Sequence, residues 1–152
     1  RDFLQKAFSV ILLATIVVWF LQSFGPSLDY VTDSSDSLMA MVSGLLAPLF
    51  APLGLGDWRI VTSLISGFMA KESVVSTLQV LFGGSVASVM TPLAALCMLI
   101  FCLLYTPCVA AVASIRRELG GRWAVGVVFF QCAVAYLAAF LAHVIGMLCG
   151  MV

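Results

Sequence analysis

Residues 7–24 read AFSVILLATIVVWFLQSF, an apolar run that contains no charged side chain. A helix needs about 20 predominantly apolar residues to cross the hydrocarbon core of a bilayer. Trp19 and Phe24 lie near the end of the run, where aromatic side chains commonly occupy the membrane interface. Gly25-Pro26 follows directly. The run therefore predicts a membrane-crossing helix that ends at Gly25.

The composition of the whole chain extends this prediction. Of its 152 residues, 63% are hydrophobic and 9% are charged, and the net charge is zero. A soluble domain is usually about half apolar and about a quarter charged, so this chain has too few charged side chains for a water-exposed surface. Its first partner is the lipid bilayer. Because it has no basic cluster, it lacks the electrostatic footprint of a nucleic-acid-binding protein.

Four further apolar segments follow the first. They cover 38–55, 58–82, 92–115 and 123–147. The five segments together predict an all-α fold, a polytopic transmembrane helical bundle. Prolines and glycines inside them predict broken or re-entrant helices, near Pro48 to Pro52, near Gly67 to Ala70 and at Pro107. The sequence leaves open whether 38–55 crosses the membrane or re-enters.

Capping residues mark where several of these helices begin and end. Ser37 closes a polar loop and Asp57 precedes the third segment, and both side chains are typical N-caps. Thr91-Pro92 combines a capping hydroxyl with proline at the first helical position. Gly120-Gly121 is expected to separate the last two segments.

The placement of charges predicts the orientation in the membrane. Arg1 and Lys6 flank the first segment, and loop 116–122 carries three arginines. In loop 27–37 the only charged side chains are acidic. Basic loops favour the cytoplasmic side. We therefore expect 116–122 in the cytoplasm and 27–37 on the opposite side.

The chain carries no motif of a soluble enzyme. Neither a GxxxxGK[ST] phosphate loop, nor HExxH, nor a nucleophile elbow is present, so we expect a non-enzymatic protein. Five cysteines lie inside apolar runs. An odd number in such positions argues against a disulfide framework.

The first group of chemically interesting residues surrounds Lys71 and Glu72, in the middle of an apolar segment. A charge at the bilayer centre costs at least about 2.5–3.5 kcal/mol, so such residues face a protein interior or a wet cavity. Ser73 and Ser76 extend the polar side of the helix from Glu72, and Gly67 marks a local unwinding. We predict a transport path here. The alternative is that the two charges pair with other parts of the bundle and only hold it together.

The second group is LLYTPCVAAV, residues 103–112. Pro107 has no amide hydrogen and displaces the carbonyl of Leu103, which then needs a partner or a cation. Thr106 and Cys108 flank the proline. A free carbonyl beside a thiol suits a transition-metal ion better than Mg²⁺ or Ca²⁺. The alternative from spacing alone is a proline kink with a packed cysteine.

Cysteine, histidine and methionine side chains elsewhere in the chain can also bind metal ions. Cys97 lies three helical turns before Cys108 on nearly the same face and is predicted to be a second station on the path. His143 is more simply explained as a hydrogen-bonded residue of the bundle. The seven methionines are scattered and are expected to contact lipid or fill the core.

A family resemblance rests on two of these motifs. GFMAKESVVSTL, residues 67–78, together with LLYTPCVAAVASIRREL, residues 103–119, resembles the second Gate repeat of the FeoB family of bacterial ferrous-iron transporters. The resemblance covers essentially the whole chain. It places the Gate cysteine at Cys108 and the Gate lysine-glutamate pair at Lys71 and Glu72.

The resemblance implies a multi-pass protein of the bacterial inner membrane that carries Fe²⁺ into the cytoplasm. Iron is then the transported substrate, and no permanently bound cofactor is expected. A GTPase domain and a first Gate repeat would precede Arg1, and we interpret the chain as the C-terminal part of that membrane domain. Gly67, Lys71 and Pro107 would form its structural gate.

Two alternatives remain at this point. Gate-like helices also resemble nucleoside-recognition membrane proteins, although a thiol beside a proline favours a metal over a nucleoside. The chain is otherwise a structural bundle that supports a channel formed elsewhere. A homo-oligomer is left open.

Overall fold

The computed structural model describes residues 2–69, 71, 73–84, 86, 90–106 and 108–150, and only the backbone of 2–7 and 10. The α-helices named below in this described part are α1 Asp2–Ser23, α2 Leu38–Phe50, α3 Trp58–Gly67, α4 Ser73–Leu81, α5 Pro92–Leu104, α6 Val109–Leu119 and α7 Gly121–Leu148. Two 3₁₀ turns, Ser34–Asp36 and Ala51–Leu53, and one isolated bridge between Phe24 and Tyr30 complete it. The all-α prediction is confirmed.

The expected caps form at three helix starts. The Ser37 hydroxyl accepts a hydrogen bond from the Ala40 amide, and Thr91 accepts one from Ala94. The Asp57 carboxylate accepts one from the Arg59 amide at 2.8 Å. These side chains satisfy amides that a helix start leaves unpaired, so α2, α3 and α5 begin where the sequence predicts.

The described helices include segments long and apolar enough to cross a membrane. Pro92–Leu119, which contains α5 and α6, and Gly121–Leu148 each pass by length and composition. Leu38–Leu53 and Trp58–Gly67 pass together, but the chain bends by 100° between them. Ile11–Ser23 is a shorter apolar helix. These features agree with a transmembrane bundle that contains broken helices.

The second segment breaks within the range that the sequence predicts, near Pro48 to Pro52. Helix α2 continues through Pro48 to Phe50, and the 3₁₀ turn Ala51–Leu53 follows. A proline removes one intrahelical hydrogen bond and bends a helix without necessarily ending it. Gly54, with φ of 73°, makes the left-handed turn that ends the segment. The predicted break near Pro48 to Pro52 is therefore confirmed, and the chain turns between Ala51 and Asp57.

Helix α7 is a main packing partner in the described part of the bundle. It packs along α5 and α6, α3 packs against α2 and α4, and α1 contacts α2 and α6. Ala135 and Ala139 on α7 are fully buried, because small residues four apart let helices approach closely. Phe129 and Phe130 lie exposed on α7, as expected for a lipid-facing surface. The packing brings the break after α3 against the break after α5.

Candidate transport site at two helix breaks

Two interrupted helices meet at their interruptions. Helix α3 ends at Gly67 and α4 begins at Ser73, while α5 ends at Leu104 and α6 begins at Val109. The Val109 amide donates a hydrogen bond to the Phe68 carbonyl at 3.1 Å. Each break therefore supplies a partner for backbone groups that the other leaves unpaired, which is how irregular backbone is tolerated inside a membrane protein.

Tyr105 forms a second link between the breaks. Its hydroxyl donates to the Leu64 carbonyl on α3 at 3.2 Å, and its ring stacks on Phe101. A buried tyrosine hydroxyl needs such a partner. Tyr105 thus fixes the distance between α3 and the end of α5.

The ammonium of Lys71 lies at the carbonyl end of α5. Nζ donates to the carbonyl of Leu103 at 3.4 Å and to that of Tyr105 at 3.3 Å. It also lies 5.2 Å from the centroid of the Tyr105 ring. Carbonyl oxygens at a helix C-terminus and the face of an aromatic ring both attract cations. We expected the Leu103 carbonyl to need a partner or a cation. In the structure it accepts a hydrogen bond from the Lys71 ammonium.

Gly67 permits the close approach of the two breaks. A Cβ added at Gly67 would lie 2.7 Å from the Tyr105 hydroxyl and closer still to the Val74 side chain. Only glycine fits without displacing one of these groups. Gly67 is therefore required by packing.

Gly67→Ala should lower the thermal midpoint of the complete protein in detergent. The added methyl group overpacks the contact with Tyr105, which typically costs about 1–3 kcal/mol. Gly44→Ala is the matched control, because Gly44 lies inside α2 with nothing within 4 Å of an added Cβ. That change should be neutral or stabilise by about 0.5–1 kcal/mol. Equal midpoints for the two variants would contradict this packing role.

Hydroxyl groups line two cavities on the α1 side of α3 and α4. The outer cavity, of about 220 Å³, includes Ser37, Thr62 and Ser76. The inner cavity, of about 350 Å³, includes Thr15, Ser66 and Ser73. Ser73 and Ser76 thus each contribute a hydroxyl to a cavity wall that is otherwise mostly apolar. The Ser73 hydroxyl also donates to the Ser66 carbonyl at 3.0 Å.

The other predicted residues lie elsewhere. Cys108 is half-buried, directly precedes α6 and lines neither of these two cavities. Cys97 is fully buried, with its sulfur 3.9 Å from His143 Nδ1. Thr106 is buried, with its hydroxyl 2.8 Å from the Cys132 sulfur. Glu72 and Pro107 lie outside the described residues.

In the described part of the chain, the residues predicted for one site lie in three separate places. Lys71, the Leu103 carbonyl and Gly67 meet at the two breaks, Ser73 and Ser76 line the cavities, and Cys97 and Thr106 contact α7. Within the described ranges, no group of three or more His, Cys, Asp or Glu side chains is placed to hold a metal ion.

Two residues of the site escaped the sequence analysis. Tyr105 stands inside the quoted motif, and a tyrosine hydroxyl in an apolar segment was a signal that it contacts a backbone carbonyl. Gln22 is the amide inside the first apolar run. It lines both cavities, and its Nε2 donates to the Ser66 hydroxyl at 3.0 Å.

The chain is similar to known membrane transporters. It is 36% identical to the Fe(2+) transporter FeoB of Methanocaldococcus jannaschii over 95% of this chain and 24% of that protein. It is 34% identical to the FeoB of Staphylococcus aureus strain MSSA476, over 96% of this chain and 23% of that protein. For the FeoB of Campylobacter jejuni the identity is 31%, over 93% of this chain and 26% of that protein. The chain thus spans about a quarter of the length of these relatives.

A family model gives a matching result. The Gate model, described as nucleoside recognition, matches residues 4–122. No solved structure matches the chain. The chain belongs to the Gate family, and its similarity to these relatives confirms the resemblance to the FeoB transporters that residues 67–78 and 103–119 indicate.

Proposed function

We propose that the chain is the part of a ferrous-iron uptake transporter that forms one half of the ion path. The observation that carries this proposal is the position of Lys71, whose ammonium binds the Leu103 and Tyr105 carbonyls where two broken helices meet. Those oxygens already hold a cation, on a side of the chain where Lys71 and Leu103 are exposed. The FeoB relatives are named as Fe(2+) transporters, and this name supplies the proposed identity of the substrate, Fe²⁺.

The proposed ligands suit an ion that must bind and then leave. Fe²⁺ is intermediate in softness and accepts mixed sulfur and oxygen ligands. Cys108 would supply a thiolate, and the Leu103 carbonyl would supply an oxygen once Lys71 has moved away. Glu72 and Thr106 are further candidate oxygen ligands, the latter after releasing Cys132. A few ligands with water completing the coordination shell allow release, whereas a closed cage would retain the ion.

Two of the remaining predicted residues take supporting roles in this proposal. Cys97, beside His143, would form a second station for the ion along α5. Gly67 and Pro107 would keep the helices open at the gate, and Lys71 would cover the carbonyls when no ion is bound.

A nucleoside is the less favoured substrate. The description of the Gate model names nucleoside recognition, but the relatives that match nearly the whole chain are named as Fe²⁺ transporters. The groups at the breaks are carbonyls, an ammonium and a nearby thiol. A nucleoside needs amides and aromatic faces arranged around a base, so these groups favour a metal ion.

The proposed setting is the cytoplasmic membrane, with the chain crossing it several times. Loop 116–122 would lie in the cytoplasm and loop 27–37 outside, following the charge asymmetry. A cysteine placed at position 120 should not react with a reagent applied outside intact cells. Labelling at that position would show that the orientation is the opposite one. The rest of the complete protein would contribute the first Gate repeat and a GTPase domain, and a homo-oligomer is compatible with this arrangement.

The proposal is tested by substrate uptake in the complete protein. Proteoliposomes should accumulate radiolabelled Fe²⁺ kept reduced by ascorbate, and radiolabelled uridine should not accumulate. Protein-free liposomes provide the background. Uridine uptake without Fe²⁺ uptake would establish the nucleoside alternative. Uptake of neither, with correctly inserted protein, would favour a structural bundle.

A further inference from the structure

The two cavities share two side chains of their walls. Gln22 and Thr77 line both of them. Gln22 extends from α1 to α3, where its amide nitrogen bonds the Ser66 hydroxyl at 3.0 Å. The Gln22 side chain therefore stands at the boundary between the outer and the inner cavity.

The outer cavity begins at the acidic loop. Ser34 and Ser37 belong to its wall, and both lie in the loop 27–37, which has three aspartates and no basic residue. Clefts near charges of one sign raise the local concentration of ions of opposite sign. The mouth of this cavity is therefore placed where cations collect.

The inner cavity ends at the helix break. Ser66, Met69 and Ser73 lie on its wall, and they flank the interruption between α3 and α4. Lys71 stands in the same interruption, on the carbonyls of α5. The two cavities thus extend from the acidic loop to the interruption between α3 and α4.

Most of the accessible wall of each cavity is apolar, and the walls offer no strong ligand that would replace the water shell of an ion. The polar side chains of the two walls are hydroxyls and one amide, and neither wall includes a charged side chain. Water occupies about 30 Å³ per molecule in the liquid. The outer cavity of about 220 Å³ therefore has room for roughly seven waters, and the inner cavity is larger. A divalent ion with six waters fits either.

We infer that a hydrated divalent cation reaches the helix breaks through these two cavities, and that Gln22 is the narrow point between them. This inference rests on the proposed function. The Gln22–Ser66 hydrogen bond joins two neutral groups, and such a bond contributes only about 0.5–1.5 kcal/mol. It can open thermally, so Gln22 can swing aside and its amide oxygen can accept a hydrogen bond from the ion's water shell.

Cysteine modification in the complete protein tests the route. Ser76→Cys places a thiol on the wall of the outer cavity, and Val75→Cys is the matched control, because Val75 is exposed and lines neither cavity. The native cysteines are kept. A membrane-impermeant cationic methanethiosulfonate reagent is applied from outside, and Fe²⁺ uptake is compared with that of the same untreated variant.

The reagent should lower uptake by Ser76→Cys at least fivefold, and should change uptake by Val75→Cys and by wild type less than twofold. Mn²⁺ in the medium should slow the modification. A thiol at Ser73, in the inner cavity, should react at least tenfold more slowly than one at Ser76, and Gln22→Ala should remove that difference.

The failures of the two proposals are distinguishable. If wild type takes up Fe²⁺ but Ser76→Cys is not modified, or is modified without loss of uptake, the route is wrong and the proposed function stands. If wild type takes up no Fe²⁺, the proposed function is wrong, and this inference falls with it. Equal reaction rates at positions 73 and 76 in the presence of Gln22 would remove Gln22 as the narrow point.

Discussion

Cys108→Ser in the complete protein should lower Fe²⁺ uptake at least tenfold at matched expression. Serine keeps the size of the side chain and removes the polarisable sulfur that an intermediate metal ion prefers. A tenfold change corresponds to about 1.4 kcal/mol, a modest value for one metal ligand. GTP hydrolysis by the proposed GTPase domain should stay near normal, because the substitution leaves that domain unchanged.

Cys149→Ser is the control for this experiment. Cys149 is an exposed thiol at the end of α7, remote in the fold from the helix breaks, and its removal should change uptake less than twofold. Initial rates of radiolabelled Fe²⁺ uptake provide the measurement. Equal uptake by wild type and Cys108→Ser would remove Cys108 from the mechanism and leave Pro107-Cys108 as a packed kink.

Lys71→Met should tighten equilibrium binding of Fe²⁺ to the purified complete protein at least tenfold. A dication and an ammonium about 4 Å apart repel each other by about 8 kcal/mol at an effective dielectric constant of 20, and by about 2 kcal/mol in bulk water. Even the weaker repulsion makes simultaneous binding unfavourable. Removing the ammonium therefore frees the carbonyls of Leu103 and Tyr105 for the ion.

Lys71→Arg should leave the affinity within threefold of wild type, because it keeps the positive charge. The measurement is equilibrium binding of radiolabelled Fe²⁺ without nucleotide. Unchanged or weaker binding by Lys71→Met would mean that Lys71 only clamps α5 and does not compete with the ion.

The breaks in the helices were largely predictable because their causes are local. Gly67 inside an apolar segment indicates a departure from regular helix, and the α3–α4 interruption begins there. The helix caps were equally local. The break near Pro48 to Pro52 was predictable for the same reason, because proline removes a helical hydrogen bond, and the left-handed Gly54 makes the turn that follows.

The partners across the bundle were much harder to predict. The contact between Lys71 and α5 depends on how α3, α4 and α5 pack. The spacing of residues within one segment does not predict this packing. Gln22 was overlooked because one amide in an apolar run is compatible with many environments. Its role follows only from the placement of α1 beside α3, which brings it to Ser66.

The hydrogen bond between Val109 and Phe68 has a consequence for biogenesis. Segment 58–81 is synthesised before segment 92–119, so at first neither the Phe68 carbonyl nor the Leu64 carbonyl has its partner from α5 or α6. An unsatisfied backbone group in hydrocarbon costs several kcal/mol. The earlier segment should therefore remain in a wet environment, such as the translocation channel, until the later one emerges. The two segments would then leave for the lipid together, as one inserted unit.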